Sequence, residues 1–347
     1  MIDVTVLGAT GMVGQRFVER LSTHPFFRIA HLTASDRSAG KHYAEATPWR
    51  LHSTPYGGCG DMKLKPSDPR DAFSPIVFSA LDTAPAREIE PAFAQAGAVL
   101  FSNASAFRMA ENVPLLIAEV NPDHLRLLEI QRKKSGNGGG IVCNANCTAT
   151  VLAMALAPLH ERFGVEAVVM TSMQAVSGAG FPGVASLDIV GNVLPYISSE
   201  EEKVQAEIPK MLGALNSVSI QPAIMAVSAL CHRVPVIDGH TEAVSVKLKG
   251  NPTAEQVTRA MSEWTPEPQR LRLHSAPERP IRVHFEVDRP QPRLDVEQDG
   301  GMSVHVGRIR PCPIMGIKFT LLGHNTHRGA AGGSVLNAEL AHAKGMI

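Results

Sequence analysis

At 347 residues the chain exceeds the roughly 100 to 200 of a usual single domain, so two joined domains around a sizeable core are expected. Apolar residues make up 44% and charged residues 19%, and 33 Lys plus Arg balance 33 Asp plus Glu, a composition that announces neither a nucleic-acid surface nor a membrane surface. No apolar run approaches the roughly 18 residues of a membrane span, and the start Met1-Ile-Asp-Val-Thr-Val-Leu-Gly8 has no basic export signal, so a cytoplasmic protein is expected.

In chain order, the apolar run Val4 to Leu7 is followed by Gly8-Ala-Thr10-Gly11-Met12-Val13-Gly14 and an amphipathic stretch from Gln15 to Leu21. This reads as strand, glycine turn and helix, the arrangement that lets backbone N–H groups and the positive helix end approach a pyrophosphate. The spacing is GxxGxxG where the commonest dinucleotide fingerprint is GxGxxG. A second strand, Ile29 to Thr33, leads to Ser35-Asp36-Arg37-Ser38-Ala39-Gly40-Lys41, roughly 20 residues past the glycines, where the adenine ribose is read. Ser35, Arg37, Ser38 and Lys41 favour a 2′-phosphate and hence NADP; Asp36 keeps NAD open as the weaker alternative.

Strands follow at Pro75 to Ser79 and Ala98 to Ser102, with a helix from near Ala86 between them. Such alternation predicts a doubly wound parallel sheet with cofactor contacts at the turns, around Ser79 and Leu81. Lys133 to Gly140 reads as a solvated loop before the strand Ile141 to Cys143. After Val165 strands recur with fewer helices, at Glu166 to Gln174, Ala243 to Lys249, Ile281 to Glu286 and Ser303 to Ile309, which predicts a mostly antiparallel sheet. The last helix, Ser334 to Ala343, has the Ala and Leu content to pack back on the first domain.

Five cysteines, odd in number and scattered, argue against a disulfide framework, and no Cys/His pairs stand at zinc-like spacing, so no metal is expected. Cys143 lies in a strand and suits a buried apolar site. Cys147, in Asn144-Ala-Asn-Cys-Thr148, precedes a helix from Thr148 to His160, where the dipole favours a thiolate. A thiolate nucleophile calls for a base, and Cys231-His-Arg233 to His240 offers two histidines beside an arginine. Side-chain chemistry alone does not select His240 from 14 histidines.

Taken together these segments resemble the aspartate-β-semialdehyde dehydrogenase family, in its archaeal and fungal form. The resemblance spans nearly the whole chain and rests on Gly8 to Gly14, Ser102-Asn103-Ala-Ser-Ala-Phe-Arg108, Asn144 to Thr148, Gln174-Ala-Val-Ser177-Gly178, Glu200-Glu-Glu-Lys203, Arg233 to His240 and Arg328-Gly-Ala-Ala-Gly332. It implies Cys147 as nucleophile, His240 as acid/base and Gln174 as the group orienting the acyl carbon. It further implies Arg233 on the substrate α-carboxylate, Arg108 and Lys203 on phosphate, Glu200 on Lys203 or the substrate amine, and Asn103 in the substrate site. Ser177, Gly178 and Asn337 join the glycine turn as cofactor contacts. The implied reaction is NADPH-dependent reductive dephosphorylation of β-aspartyl phosphate to aspartate semialdehyde through a cysteine thioester.

The expected fold is α/β: a Rossmann-type domain over residues 1–146, completed by 328–347, and an α+β catalytic and dimerisation domain over 147–327. A homodimer or homotetramer is implied, with small-molecule substrates as the other partners. A related reductase of CoA thioesters and a noncatalytic NADP-binding protein are the competing readings.

Overall fold

Short runs of Val, Ile, Leu and Phe build the first half of the chain in the computed structural model, which describes residues 1–216 and 218–347. The strands are β1 (Ile2–Leu7), β2 (Phe27–Leu32), β3 (Ile76–Ser79), β4 (Val99–Ser102), β5 (Leu115–Leu116) and β6 (Gly140–Asn144). They form one sheet in the order β2-β1-β3-β4-β6-β5 with every pairing parallel. Strands β3, β4 and β6 are buried throughout, as a parallel sheet covered on both faces requires. Phe78 and Phe101 face the core shared with Phe17 and Leu336, while Val77 and Leu100 face the core shared with Phe93 and Leu152.

The longer helices are α1 (Met12–Leu21), α2 (Thr83–Gln95), α3 (Arg126–Ser135), α4 (Cys147–Arg162), α5 (Glu200–Met211), α6 (Ala254–Ser262) and α7 (Gly332–Ala343). The expected loop at Lys133 to Gly140 is corrected: α3 runs to Ser135, with Arg132, Lys133 and Lys134 in its last turn. Cations there complement the negative helix end, and Gly136, at φ 72°, closes it. Helix α4 is buried from Thr148 to Leu159, as befits a helix apolar all round.

The second half adds β7 (Val165–Gln174), the small ribbon β8 (Ala214–Leu215) and β9 (Ile220–Gln221), and then β10 (Ala226–Arg233), β11 (His240–Leu248), β12 (Ile281–Val283), β13 (Val304–Cys312) and β14 (Gly316–Gly323). The large sheet runs β10-β7-β11-β14-β13-β12. Its three central pairings are antiparallel and both edge pairings, β10 with β7 and β12 with β13, are parallel. Along β11 the alternation puts His240, Glu242, Val244, Val246 and Leu248 on the buried face, toward α4. After β14 the chain passes a π-helical turn, His327–Ala331, into α7, which packs on α1 and β4. Among the described residues no helix is long and apolar enough to cross a membrane.

Candidate active site

Local sequence places the thiol. Strand β6 ends at Asn144, and the Asn146 side chain accepts the Ala149 N–H at 3.0 Å, an N-cap that makes Cys147 the first residue of α4. Sheet register then brings residues from three strands to it. Gln174 ends β7, Arg233 ends β10 in register with Gln174, and His240 opens β11. The Cys147 Sγ lies 3.3 Å from His240 Nε2.

The peptide of Ala175 orients two of these groups. Its N–H donates to His240 Nδ1 at 3.1 Å, and its carbonyl accepts from Arg233 Nη1 at 2.7 Å. A neutral imidazole that accepts at Nδ1 carries its proton on Nε2, so the ring presents an N–H to the sulfur. Gly178 closes the turn against both side chains: a Cβ there would stand 2.8 Å from Arg233 Nη1 and 3.0 Å from His240 Cε1.

Burial drives the His240 pKa well below the ordinary imidazole value, with the Arg233 guanidinium and the neighbouring His324 adding to the effect. Burial likewise pushes the Cys147 thiol up to about 12, and the Glu200 carboxylate adds to it. Arg233, Arg108 and the Thr148 N–H pull the other way without prevailing. The dipole effect expected from the sequence is therefore present but outweighed by desolvation, and a thiol faces a neutral imidazole near pH 7.

A cavity of about 420 Å³ opens over the thiol and gathers Asn103, Arg108, Cys147, Gln174, Gly178, Glu200, Lys203 and Arg233 on its walls. Glu200 Oε1 accepts from Asn146 Nδ2 at 2.9 Å and from Thr148 Oγ1 and Gln174 Nε2 at 3.2 Å each. Its other oxygen lies 3.8 Å from Lys203 Nζ. Arg108 donates through Nη1 to Glu207 at 3.0 Å and through Nη2 to the Asn103 carbonyl at 2.7 Å. Burial opposes the Arg108 charge, but Glu207 outweighs it and holds the guanidinium above its usual pKa.

A second cavity of about 710 Å³ adjoins the first, the two sharing Leu81, Asp82 and Ala179. Gly8, Thr10, Gly11, Met12, Val13, Ser35 and Leu81 line it, together with Asp36. Gly8 sits at φ 71°, where a Cβ would meet the Ala80 carbonyl oxygen at 2.8 Å. Gly11 leaves the start of α1 without a side-chain cap, so backbone N–H groups remain for an anion, and the groove fits a dinucleotide.

The remaining expected cofactor residues lie off these walls. Gly14 is packed under the turn, where a Cβ would fall 2.2 Å from the Gly8 carbonyl oxygen. Arg37 is exposed and Ser38 half-buried, in the turn where the Ser38 N–H donates to the Ser35 carbonyl at 2.8 Å. Ser79 is fully buried, Ser177 accepts from Asn325 Nδ2 at 2.8 Å, and Asn337 donates to the Leu116 carbonyl at 3.0 Å and to Asn144 Oδ1 at 3.3 Å. Asn337 thus braces the Asn144 turn from behind.

Residues 3–128 match the family model described as the NAD binding domain of semialdehyde dehydrogenase, and residues 156–328 match its dimerisation domain. The aspartate-semialdehyde dehydrogenase of Archaeoglobus fulgidus is 52% identical over 338 residues, covering 97% of each chain. That of Schizosaccharomyces pombe is 46% identical, covering 99% of each. The chain belongs to the aspartate-semialdehyde dehydrogenase family. Among solved structures, the Candida albicans aspartate-semialdehyde dehydrogenase with NADP superposes with a TM-score of 0.93 at 42% identity, covering 100% of both chains.

This aspartate-semialdehyde dehydrogenase fold also brings to the site residues that the sequence reading passed over. Asn146 is both helix cap and donor to Glu200. Glu207 and Lys210 continue the row begun by Glu200 and Lys203 along α5, at helical spacings of three and four residues that a search for one-faced charge would pick out. Asp82 stands where the two cavities meet.

Proposed function

We propose that this chain is an NADP-dependent aspartate-semialdehyde dehydrogenase that reduces β-aspartyl phosphate through a thioester on Cys147. The observation that carries the reading is the 3.3 Å approach of Cys147 Sγ to His240 Nε2, at a cavity lined by Arg233, Arg108 and Lys203.

Cys147 gives up its proton to solvent and attacks the acyl carbon as a thiolate, and phosphate leaves toward Arg108 and Lys203. The planar fork of Arg233 grips the α-carboxylate, Glu200 receives the amine, and Gln174, held by Glu200, orients the acyl oxygen. Bound NADPH supplies the hydride that reduces the thioester. The Nε2–H of His240 stabilises the oxyanion of the resulting thiohemiacetal, which collapses to the semialdehyde and frees the thiolate. The donor tautomer set by Ala175 supports this part of the His240 role more than removal of the thiol proton.

The glycine turn and Gly8 to Val13 hold the pyrophosphate, and Ser35, Arg37 and Ser38 favour the 2′-phosphate of NADP, with NAD the weaker ligand. Residues 1–146 with 328–347 form the cofactor domain and 147–327 the catalytic domain. The outward face of the large sheet leaves Val169, Met173 and Leu230 exposed on neighbouring strands, which supports a homodimer through that face and allows a homotetramer built on it. The enzyme is assigned to the cytoplasm.

The test is spectrophotometric: NADP reduction with aspartate semialdehyde, dependent on inorganic phosphate and lost in Cys147→Ser, whose hydroxyl is far less ionised. Turnover of malonyl-CoA with none of the semialdehyde would overturn the substrate assignment.

A further inference from the structure

We infer that Glu207 is a positioning residue that sets the anion-gripping Arg108 and the start of the nucleophile's helix as one unit. The inference rests on the roles proposed above for Arg108 and Cys147. Glu207 is 2% exposed and does not line the cavity, so it acts through its neighbours. Its Oε1 accepts from Arg108 Nη1 at 3.0 Å, and its Oε2 accepts the Asn146 N–H at 2.7 Å. Asn146 is the cap of α4 and immediately precedes Cys147.

Among the described residues Arg108 is otherwise anchored through Nη2 on the Asn103 carbonyl, and its buried Nε has no hydrogen-bond partner. Each Nη nitrogen keeps a second N–H beyond the bond it makes, and these remain for an incoming oxyanion at the cavity that Arg108 lines. The Glu207 bond fixes the guanidinium plane and hence the direction in which those free N–H groups point. One turn further along α5, Lys210 Nζ donates to the carbonyls of Arg108, Ala110 and Val113 at 2.6, 2.9 and 3.2 Å, holding the backbone from which Arg108 extends. Without the carboxylate the guanidinium is free to turn, and the N–H of Asn146 is left buried and unpaired.

The test uses the full-length enzyme with inorganic phosphate and aspartate semialdehyde as varied substrates. In Glu207→Gln one partner must face an amide N–H in place of an oxygen. The KM for phosphate is expected to rise about tenfold or more while the KM for semialdehyde, set by Arg233, stays within about twofold. In an Arg108→Ala background, the same substitution should add less than about twofold to the phosphate KM.

Equal increases in both KM values, or a full effect of Glu207→Gln in the Arg108→Ala background, would reduce Glu207 to a structural ion pair and overturn the inference. If Glu207→Gln does not fold, Glu207→Asp carries the test. It keeps the charge but is one methylene too short to reach both partners, so the same split between the two KM values is expected and its absence overturns the inference. A wild-type enzyme with no phosphate-dependent turnover would instead defeat the functional reading itself.

Discussion

Replacing Gly178 by alanine adds one methyl at the point where the carboxylate clamp and the histidine converge. The new Cβ would stand 2.8 Å from Arg233 Nη1, 3.0 Å from His240 Cε1 and 3.2 Å from His240 Nε2. Ordinary contact begins near about 3.5 Å, so the guanidinium must retreat by about 0.7 Å and the ring by about 0.5 Å. Neither can do so freely. Arg233 Nη1 is held by the Ala175 carbonyl at 2.7 Å, and the ring is fixed between the Ala175 N–H and the Cys147 sulfur. Misplacing reacting groups by about 1 Å costs roughly 100-fold, so a half-ångström shift of two of them should lower kcat/KM for the semialdehyde by about 10- to 100-fold. Stability should fall by about 1 to 3 kcal/mol through this crowding, offset in part by the roughly 0.4 to 1 kcal/mol that a Gly to Ala change outside the left-handed region contributes through the unfolded chain. Initial rates of NADP reduction together with a melting curve make the measurement. A folded variant with kcat/KM within threefold of wild type would refute the placement of Arg233 and His240. A loss confined to NADP affinity would make Gly178 a cofactor contact alone.

With the Cys147 thiol pushed up to about 12 by burial, the thiolate fraction grows with each step of pH from 7 to 9. Alkylation of the free enzyme by iodoacetamide should accelerate accordingly, whereas a plateau below pH 7 would mean that the helix end and guanidiniums overcome desolvation. Arg233→Lys replaces a planar fork by a point charge, and the semialdehyde KM should rise about tenfold with a smaller change in kcat; an unchanged KM would remove Arg233 from the carboxylate site. Gly14→Ala places a Cβ 2.2 Å from the Gly8 carbonyl oxygen and 2.7 Å from the Ala9 backbone, atoms that cannot swing aside. It should cost about 1 to 3 kcal/mol and weaken NADP binding, and a melting temperature equal to wild type would show that the turn relaxes.

The parts of this molecule legible in its sequence are those built from neighbours in the chain. Strand, glycine turn and helix at Ile2 to Leu21 follow one another without a long-range decision, and so do β6, the polar turn and α4. The end of α3 was hidden because the run Gly136 to Gly140 looks like a loop as a whole, although its first glycine is only a helix cap. Strands β10 and β14 went unread, and the parallel edges of the second sheet are crossovers that local pattern does not encode. The same limit applies to the site. Gln174 and Arg233 are 59 positions apart and meet only because β7 and β10 pair in register, so their convergence on Cys147 came from family resemblance. Glu207 was missed because a charged helical row ordinarily reads as a solvated face.

That row bears on how the site stays assembled. Glu200, Lys203, Glu207 and Lys210 repeat along α5 with alternating charge, and three of them bond to residues of the first half or of the α4 start: Glu200 to Asn146 and Thr148, Glu207 to Arg108 and Asn146, and Lys210 to three carbonyls between Arg108 and Val113. Each is buried, so breaking any of these bonds leaves an uncompensated charge or an unpaired N–H in a poorly solvated place. A sliding motion of α5 past the Arg108 loop would break them together. The dinucleotide groove and the catalytic cavity, which share Leu81, Asp82 and Ala179, are therefore kept in line by side-chain pairing across the seam.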